Sequence, residues 1–221
     1  MVAYKVMPSL DLDIVTATGQ RGWLGTWHRH ESDDSMIVVE EPVQTRVVDE
    51  TRILLDLSDL KDDITRKWTL RLRGQLVPRE KNMTFEFGLI VAGRAKVLNY
   101  VDWHLAELFS CATIQLWVDD KLVIDNWSRQ RRGWEFFGCG TLEERGTVQL
   151  VAHKSHSIYV EFCNVRGPAD GDEDEIVMDM TAGLRLGGAE VQDPDERLES
   201  AVEFAKGVDA VIAVVGLNAD W

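Results

Sequence analysis

From Leu116 to Ser128 the chain reads LWVDDKLVIDNWS, in which Leu116, Val118, Leu122, Ile124 and Asn126 alternate with Trp117, Lys121, Val123 and Asp125. A period of two places successive side chains on opposite faces of a strand. Asp119-Asp120 breaks the run where two strands would reverse, so the pattern predicts a β-hairpin with one buried face. Trp68–Leu76 alternates in the same way, with Trp68, Leu70 and Leu72 inward and its Thr and Arg positions outward. Residues 82–95 predict a further strand with Phe85, Phe87 and Leu89 on one side, and the stretches MIVV and ILLDLSDL between Met36 and Leu60 predict shorter ones. Thr147 to Phe162 closes the sheet, with His153 and His156 expected in a solvated turn. Trp68 to Phe162 thus reads as an antiparallel sheet.

The tail changes period. Residues from about Asp195 to Lys206 predict a helix capped by Asp193, with Pro194 in its first turn and Gly207 at its end. VDAVIAVVG follows as a continuous apolar run, the pattern of a buried parallel strand. The prediction is a mainly β domain followed by a short α/β stub.

Composition narrows the function classes. With 221 residues the chain holds one domain of comfortable size and little more, and 45% apolar residues with eight Trp supply a core. A net charge of -14 opposes a phosphate backbone, and the longest basic run is RQRR at Arg129 to Arg132, so no nucleic-acid partner is expected. No segment has the roughly 20 consecutive apolar residues of a membrane span, and residues 1–13 lack the apolar centre of a signal peptide. At face value this predicts no membrane partner and a cytoplasmic chain. Cys111, Cys139 and Cys163 form neither an even framework nor a CxxC pair and read as reduced and structural.

Trp68 to Phe162, with the hairpin text, resembles the PA14 domain, specifically the copy inserted in fungal family 3 β-glucosidases. Gly22 to His30, GWLGTWHRH, is similar to the opening strand of that domain, and DAVIAVVGLNADW is similar to the start of the enzymes' C-terminal α/β domain. The most specific matches are LWVDDKLVIDNW, FFGCGTLEERGTVQL and DAVIAVVGLNADW, in that order. The resemblance implies a mainly β, PA14-type antiparallel β-sandwich. The domain reading is a leading linker at 1–13, the sandwich at 14–186, a linker at 187–194 and the α/β stub at 195–221.

One interruption departs from the family. Val97 to Gln115 separates Lys96 from Leu116, which the family joins directly. The preferred reading is a retained intron, because Val codons begin GT, Gln can be CAG and the length keeps frame. The competing reading is a helical loop insertion, on the weak apolar face of WHLAELF.

Several groups invite site readings. His28 and His30 with Glu31, Asp33 and Asp34 have metal-donor chemistry. However, HxH in a strand points both rings to one face while the acids follow in a loop, so no metal is assigned. The calcium-binding Asp pair of the related adhesins corresponds here to Val91-Ala92-Gly93, and Asp119-Asp120 falls at a turn tip that offers few converging oxygens. The acidic stretch Gly167 to Glu175 reads as a solvated loop. Asn82-Met-Thr and Asn126-Trp-Ser fit the N-glycosylation pattern.

Residues 126–140, NWSRQRRGWEFFGCG, carry the candidate ligand contacts. Trp134, Phe136 and Phe137 offer flat apolar faces and Arg131 offers donors, which is what a pyranose ring requires. The competing reading, strongest for Phe137, is a strand whose aromatics fill the core. By resemblance the domain overhangs the mouth of a catalytic pocket and helps to select sugar length. Retaining hydrolysis needs two carboxyls about 5–5.5 Å apart. The family's nucleophile belongs to an N-terminal barrel and its acid/base glutamate lies beyond the position of Trp221. The expectation is therefore a fragment of a β-glucosidase without catalytic residues, metal or cofactor of its own. Its partners are β-glucosides or gluco-oligosaccharides and the remaining barrel and α/β domain of the parent enzyme, and Met1 is expected to lie inside a longer gene. A stand-alone lectin-like PA14 protein and an incomplete, non-functional gene product are the alternatives.

Overall fold

The computed structural model describes residues 14–49, 51–56, 60, 62–92, 94–98, 122–127, 130, 131, 133, 136, 140–164 and 181–212. Among these the alternating runs become strands β1 (Ile14–Val15), β2 (Trp23–Arg29), β3 (Gln44–Val48), β4 (Arg52–Asp56), β5 (Trp68–Leu76) and β6 (Met83–Ala92). Then come β7 (Arg94–Leu98), β8 (Ile124–Asn126), β9 (Glu144–Leu150), β10 (His156–Cys163), β11 (Thr181–Glu190) and the helix α1 (Pro194–Lys206). One sheet has the order β3-β2-β5-β10-β7-β8, with β1 also on β5; the other has the order β4-β11-β6-β9. Every strand pairing is antiparallel. The mainly β, antiparallel expectation is correct.

The two sheets share one core. Trp23, Trp27, Trp68, Leu70, Leu72, Val160 and Phe162 come from the first sheet, and Phe85, Phe87, Leu89, Leu184 and Leu186 from the second. These are the odd or even positions of their strands, as period two requires. The Trp68 and Phe162 rings meet tilted at 57° with centroids 5.6 Å apart. Burying side chains of this size is worth about 1.5–3 kcal/mol each.

Neighbours in sequence are not always neighbours in space. β9 pairs with β6 in the second sheet, whereas β10 pairs with β5 and β7 in the first, so Thr147 to Phe162 does not close one sheet. The strand expected over 82–95 is likewise two: β6 in the second sheet and β7 in the first. Of the hairpin read at 116–128, only 122–127 lie within the described residues, and there Ile124 pairs with Val97 of β7. Val97 and Leu98 are thus strand residues, while 99–115 lie outside the described set, as do Cys111, Cys139, Asp119-Asp120 and Gly167 to Glu175.

MIVV is not a strand; only Val38 makes a bridge, to His30. Its segment instead lies across the outer face of the first sheet, where Thr69 and Arg71 of β5, expected in solvent, are buried and Arg73 is half-buried. His28 Nδ1–H donates to the Val39 carbonyl (3.0 Å) and its Nε2 accepts from Thr26 (2.9 Å). His30 repeats the arrangement with the Ser35 carbonyl (2.8 Å) and Thr69 (3.0 Å). Arg71 grips both Glu40 oxygens (2.7 and 3.1 Å) and Glu161 (2.9 Å), which also accepts from the Tyr159 hydroxyl (2.9 Å). Burial, and then Glu161, push the Tyr159 phenol well above its ordinary range. His156, expected in solvent, is buried and accepts from the Val151 N–H at 3.1 Å; His153 is exposed.

The chain divides into two units, Met1–Glu190 and Val191–Trp221. In the second, α1 follows its sequence signals: the Asp193 carboxylate accepts from the Asp195 N–H at 2.8 Å, and the Gly207 N–H bonds to the Phe204 carbonyl at 3.1 Å. Val208–Ile212, where the apolar run was expected to form a strand, form none; 213–221 lie outside the described set.

Candidate functional site

Arg131 and Phe136, the candidate contacts within the described residues, sit on a short hairpin whose base is held by a buried polar group. The Leu142 N–H donates to the Arg131 carbonyl (2.7 Å) and the Gly133 N–H to the Gly140 carbonyl (2.8 Å), which sets 131–133 alongside 140–142. A Cβ on Gly133 would stand 2.4 Å from the Thr141 carbonyl oxygen, so the close approach of these two backbones requires glycine.

Thr141 fastens this hairpin to β6. Its N–H donates to the Val91 carbonyl (2.9 Å), and its hydroxyl oxygen accepts from the Val91 N–H (3.2 Å). Asn126 reaches the same point from β8: its Nδ2 donates to the Thr141 hydroxyl (2.8 Å) and to the Leu89 carbonyl (3.2 Å). Asn126 is 0% exposed and belongs to the first sheet, whereas Leu89 and Val91 belong to the second, so one amide ties both sheets and the hairpin. Its backbone carbonyl also accepts from the Gln130 side chain at 2.9 Å. Sequence reasoning passed over this residue. The signal was an amide on the same period-two face as Leu122 and Ile124, where an apolar side chain was due.

At the hairpin tip Phe136 has φ 52, a left-handed conformation that costs a β-carbon-bearing residue of order 1–2 kcal/mol. The ring is half-buried and lies over Gly183 of β11, where a Cβ would stand 2.4 Å from the ring edge. Glycine at 183 therefore makes the seat for the ring, and the contact holds Phe136 in its strained backbone. Arg131 is exposed, and its Nε donates to Glu144 at 2.8 Å. The structure thus carries Arg131 and Phe136 on one hairpin; Trp134 and Phe137 lie outside the described residues. A fixed aromatic ring and an exposed guanidinium carried on one hairpin supply an apolar face and hydrogen-bond donors, the two chemistries a sugar ring calls on.

The HxH pair is placed elsewhere, on the outer face of the first sheet, and its four ring nitrogens are all engaged by carbonyls or threonine hydroxyls. No imidazole lone pair is left there for a metal.

Comparison with known proteins gives a consistent result. Residues 107–187 match the family model of the PA14 domain. A probable β-glucosidase J of Neosartorya fischeri is 38% identical over 150 residues, covering 68% of this chain and 15% of that protein. A probable β-glucosidase J of Emericella nidulans is 30% identical over 219 residues, covering 99% of this chain and 23% of that protein. The crystal structure of a β-glucosidase from Kluyveromyces marxianus in complex with glucose shares the fold, with a TM-score of 0.64 at 24% identity over 93% of this chain and 21% of that one. The chain spans less than a quarter of the length of these relatives. It carries a PA14 domain and is homologous to a segment of fungal β-glucosidases.

Proposed function

We propose that this chain is the PA14 module of a family 3 β-glucosidase and that it contacts β-glucosides or gluco-oligosaccharides through the 131–142 hairpin. The observation that carries the reading is the pinned hairpin itself: Asn126 and Thr141 fix its base, Gly183 of β11 seats the Phe136 ring, and Arg131 is exposed with its Nε on Glu144 of β9. Rigid aromatic faces with nearby donors suit pyranose rings, which present CH faces and hydroxyls together. The family likeness supplies the substrate class.

We assign the chemistry of hydrolysis to carboxyls elsewhere in the whole enzyme, on the setting of the carboxylates among the described residues. A general acid needs a raised pKa, whereas the Glu40 carboxylate here is held below its ordinary value by hydrogen bonds from Arg71. Glu161, Glu144, Glu86 and Glu143 are likewise each paired with an arginine. Among the described residues these five carboxylates are committed to ion pairs, which supports a recognition role for this module.

The test is a titration of the chain with cellobiose and cellotriose, followed by amide chemical shifts. The expected shifts fall on residues 126–142. Arg131→Ala should weaken binding roughly three- to tenfold, the value of about 1 kcal/mol for one hydrogen bond, and Phe136→Ala and Trp134→Ala should weaken it further. Shifts confined to other regions, or binding unchanged in all three variants, would overturn the reading. Loss of binding on adding a chelator would favour the calcium-dependent lectin instead.

A further inference from the structure

We propose that Asn82 is an acceptor for an N-linked oligosaccharide and that, of the two sequence matches to the acceptor pattern, it is the one compatible with the folded protein. The two sites differ in what their side-chain amides are doing. Asn126 is wholly buried and spends both Nδ2 hydrogens, on Thr141 and on Leu89. A sugar on that nitrogen would replace one of these hydrogens and force a pyranose between the two sheets.

Asn82 is exposed, in the turn between β5 and β6. Its Oδ1 accepts from the Ala152 N–H at 2.7 Å, while its Nδ2 has no partner among the described residues. Glycosylation changes only the nitrogen, so the amide oxygen keeps its bond. That bond is structural: together with the His153 N–H to Arg79 carbonyl bond (2.8 Å), it staples the β5–β6 turn to the turn between β9 and β10. The third residue of the pattern, Thr84, is half-buried, with its hydroxyl oxygen accepting from Gln149 at 2.8 Å.

The reaction needs a polyprenyl-pyrophosphate-linked oligosaccharide as donor. Nδ2 of Asn82 bonds to the anomeric carbon, the bond from that carbon to the pyrophosphate oxygen breaks, and the polyprenyl pyrophosphate leaves with the electron pair. One Nδ2 proton passes to the base of the transferase.

The position also says what the glycan leaves free. Asn82 precedes the first residue of β6, and the sugar-contacting hairpin is fastened to Val91 near its last. At about 3.4 Å per residue the two lie roughly 30 Å apart along the strand. A glycan at Asn82 and a ligand on the hairpin do not compete, and the proposal stands independently of the sugar-contact reading.

The test is translation of the full chain, fused to a cleavable secretory leader, with microsomal membranes. The soluble, protease-resistant fraction is then treated with a glycan-releasing amidase in heavy-oxygen water and mapped by peptide mass spectrometry. The expected result is conversion of Asn82 to labelled Asp, none at Asn126, and loss of the glycosylated band in Asn82→Gln but not in Asn126→Gln. An unmodified Asn82 in that fraction, or a folded chain labelled at Asn126, would overturn the proposal.

Discussion

Asn126 is the residue on which most of the candidate site depends. Asn126→Ala removes two hydrogen bonds, to the Thr141 hydroxyl and the Leu89 carbonyl, from a wholly buried position. The expected loss is about 1–3 kcal/mol, read from the urea midpoint, with sugar-dependent shifts of the hairpin weakened in parallel. The histidines set a second residue-scale behaviour. Burial first, and for His28 the Arg71 charge second, hold both imidazoles below their ordinary value of 6.5. The unfolded chain therefore takes up protons before the folded one, so stability falls as pH drops below about 6.5 and levels off beneath the folded values. Each such proton removes up to about 1.4 kcal/mol per pH unit. Melting curves at pH 7.5 and 5.5 should separate, and a His28→Gln, His30→Gln variant should narrow the gap. Glu40, lowered by its hydrogen bonds to Arg71, adds a further loss as pH falls through and below its ordinary 4.5. Period two put both rings on one face at the sequence level, but their burial could not be read there, because the covering segment is held by carbonyls of Ser35 and Val39 that any residue type would supply.

At the scale of elements, the register of β7 against β8 bears on the segment 97–115. Ala95 pairs with Asn126, Lys96 with Asp125 and Val97 with Ile124, while the connection from Leu98 to β8 runs through 99–123. If 97–115 were removed, Leu116 would take the place of Val97 opposite Ile124. Trp117 would then face Val123 and Val118 would face Leu122, leaving Asp119, Asp120 and Lys121 as a short hairpin loop of a common length. The observed register is thus already the register of the hairpin that LWVDDKLVIDNW predicts. Shortening the connection in this way lowers its closure cost by roughly 2 kcal/mol. The expected outcome is a melting temperature about 5 °C higher for the deletion chain; a lower one would count for a stabilising insertion. Sequencing the transcript across codons 90–120 decides separately whether the segment is spliced out.

At the scale of the whole molecule, the second unit leaves large apolar side chains in solvent: Phe204 is 77% and Ile212 90% exposed. Exposed apolar groups of this kind drive association. The expected behaviour is concentration-dependent light scattering that falls in a Phe204→Glu, Ile212→Lys variant with unchanged helix signal. Sequence by itself determined the local facts: which residues alternate, the inward sets on β5 and β6, and the helix from Pro194 to Lys206 with its Asp193 cap and Gly207 stop. Each depends on neighbours only a few positions away. Tertiary structure alone decided which sheet a strand joins, because antiparallel pairing is set by partners such as Thr69 and Cys163 that lie far apart in the chain. For the same reason β6 and β7 part company, β9 and β10 lie in different sheets, and Arg71 meets Glu40 and Glu161 in a buried cluster. The sequence also marked Phe136 and Arg131 by residue type, but only the fold supplies Gly183 as the seat of the ring and Asn126 as the anchor of the hairpin, since both reach the loop across contacts that no periodicity records.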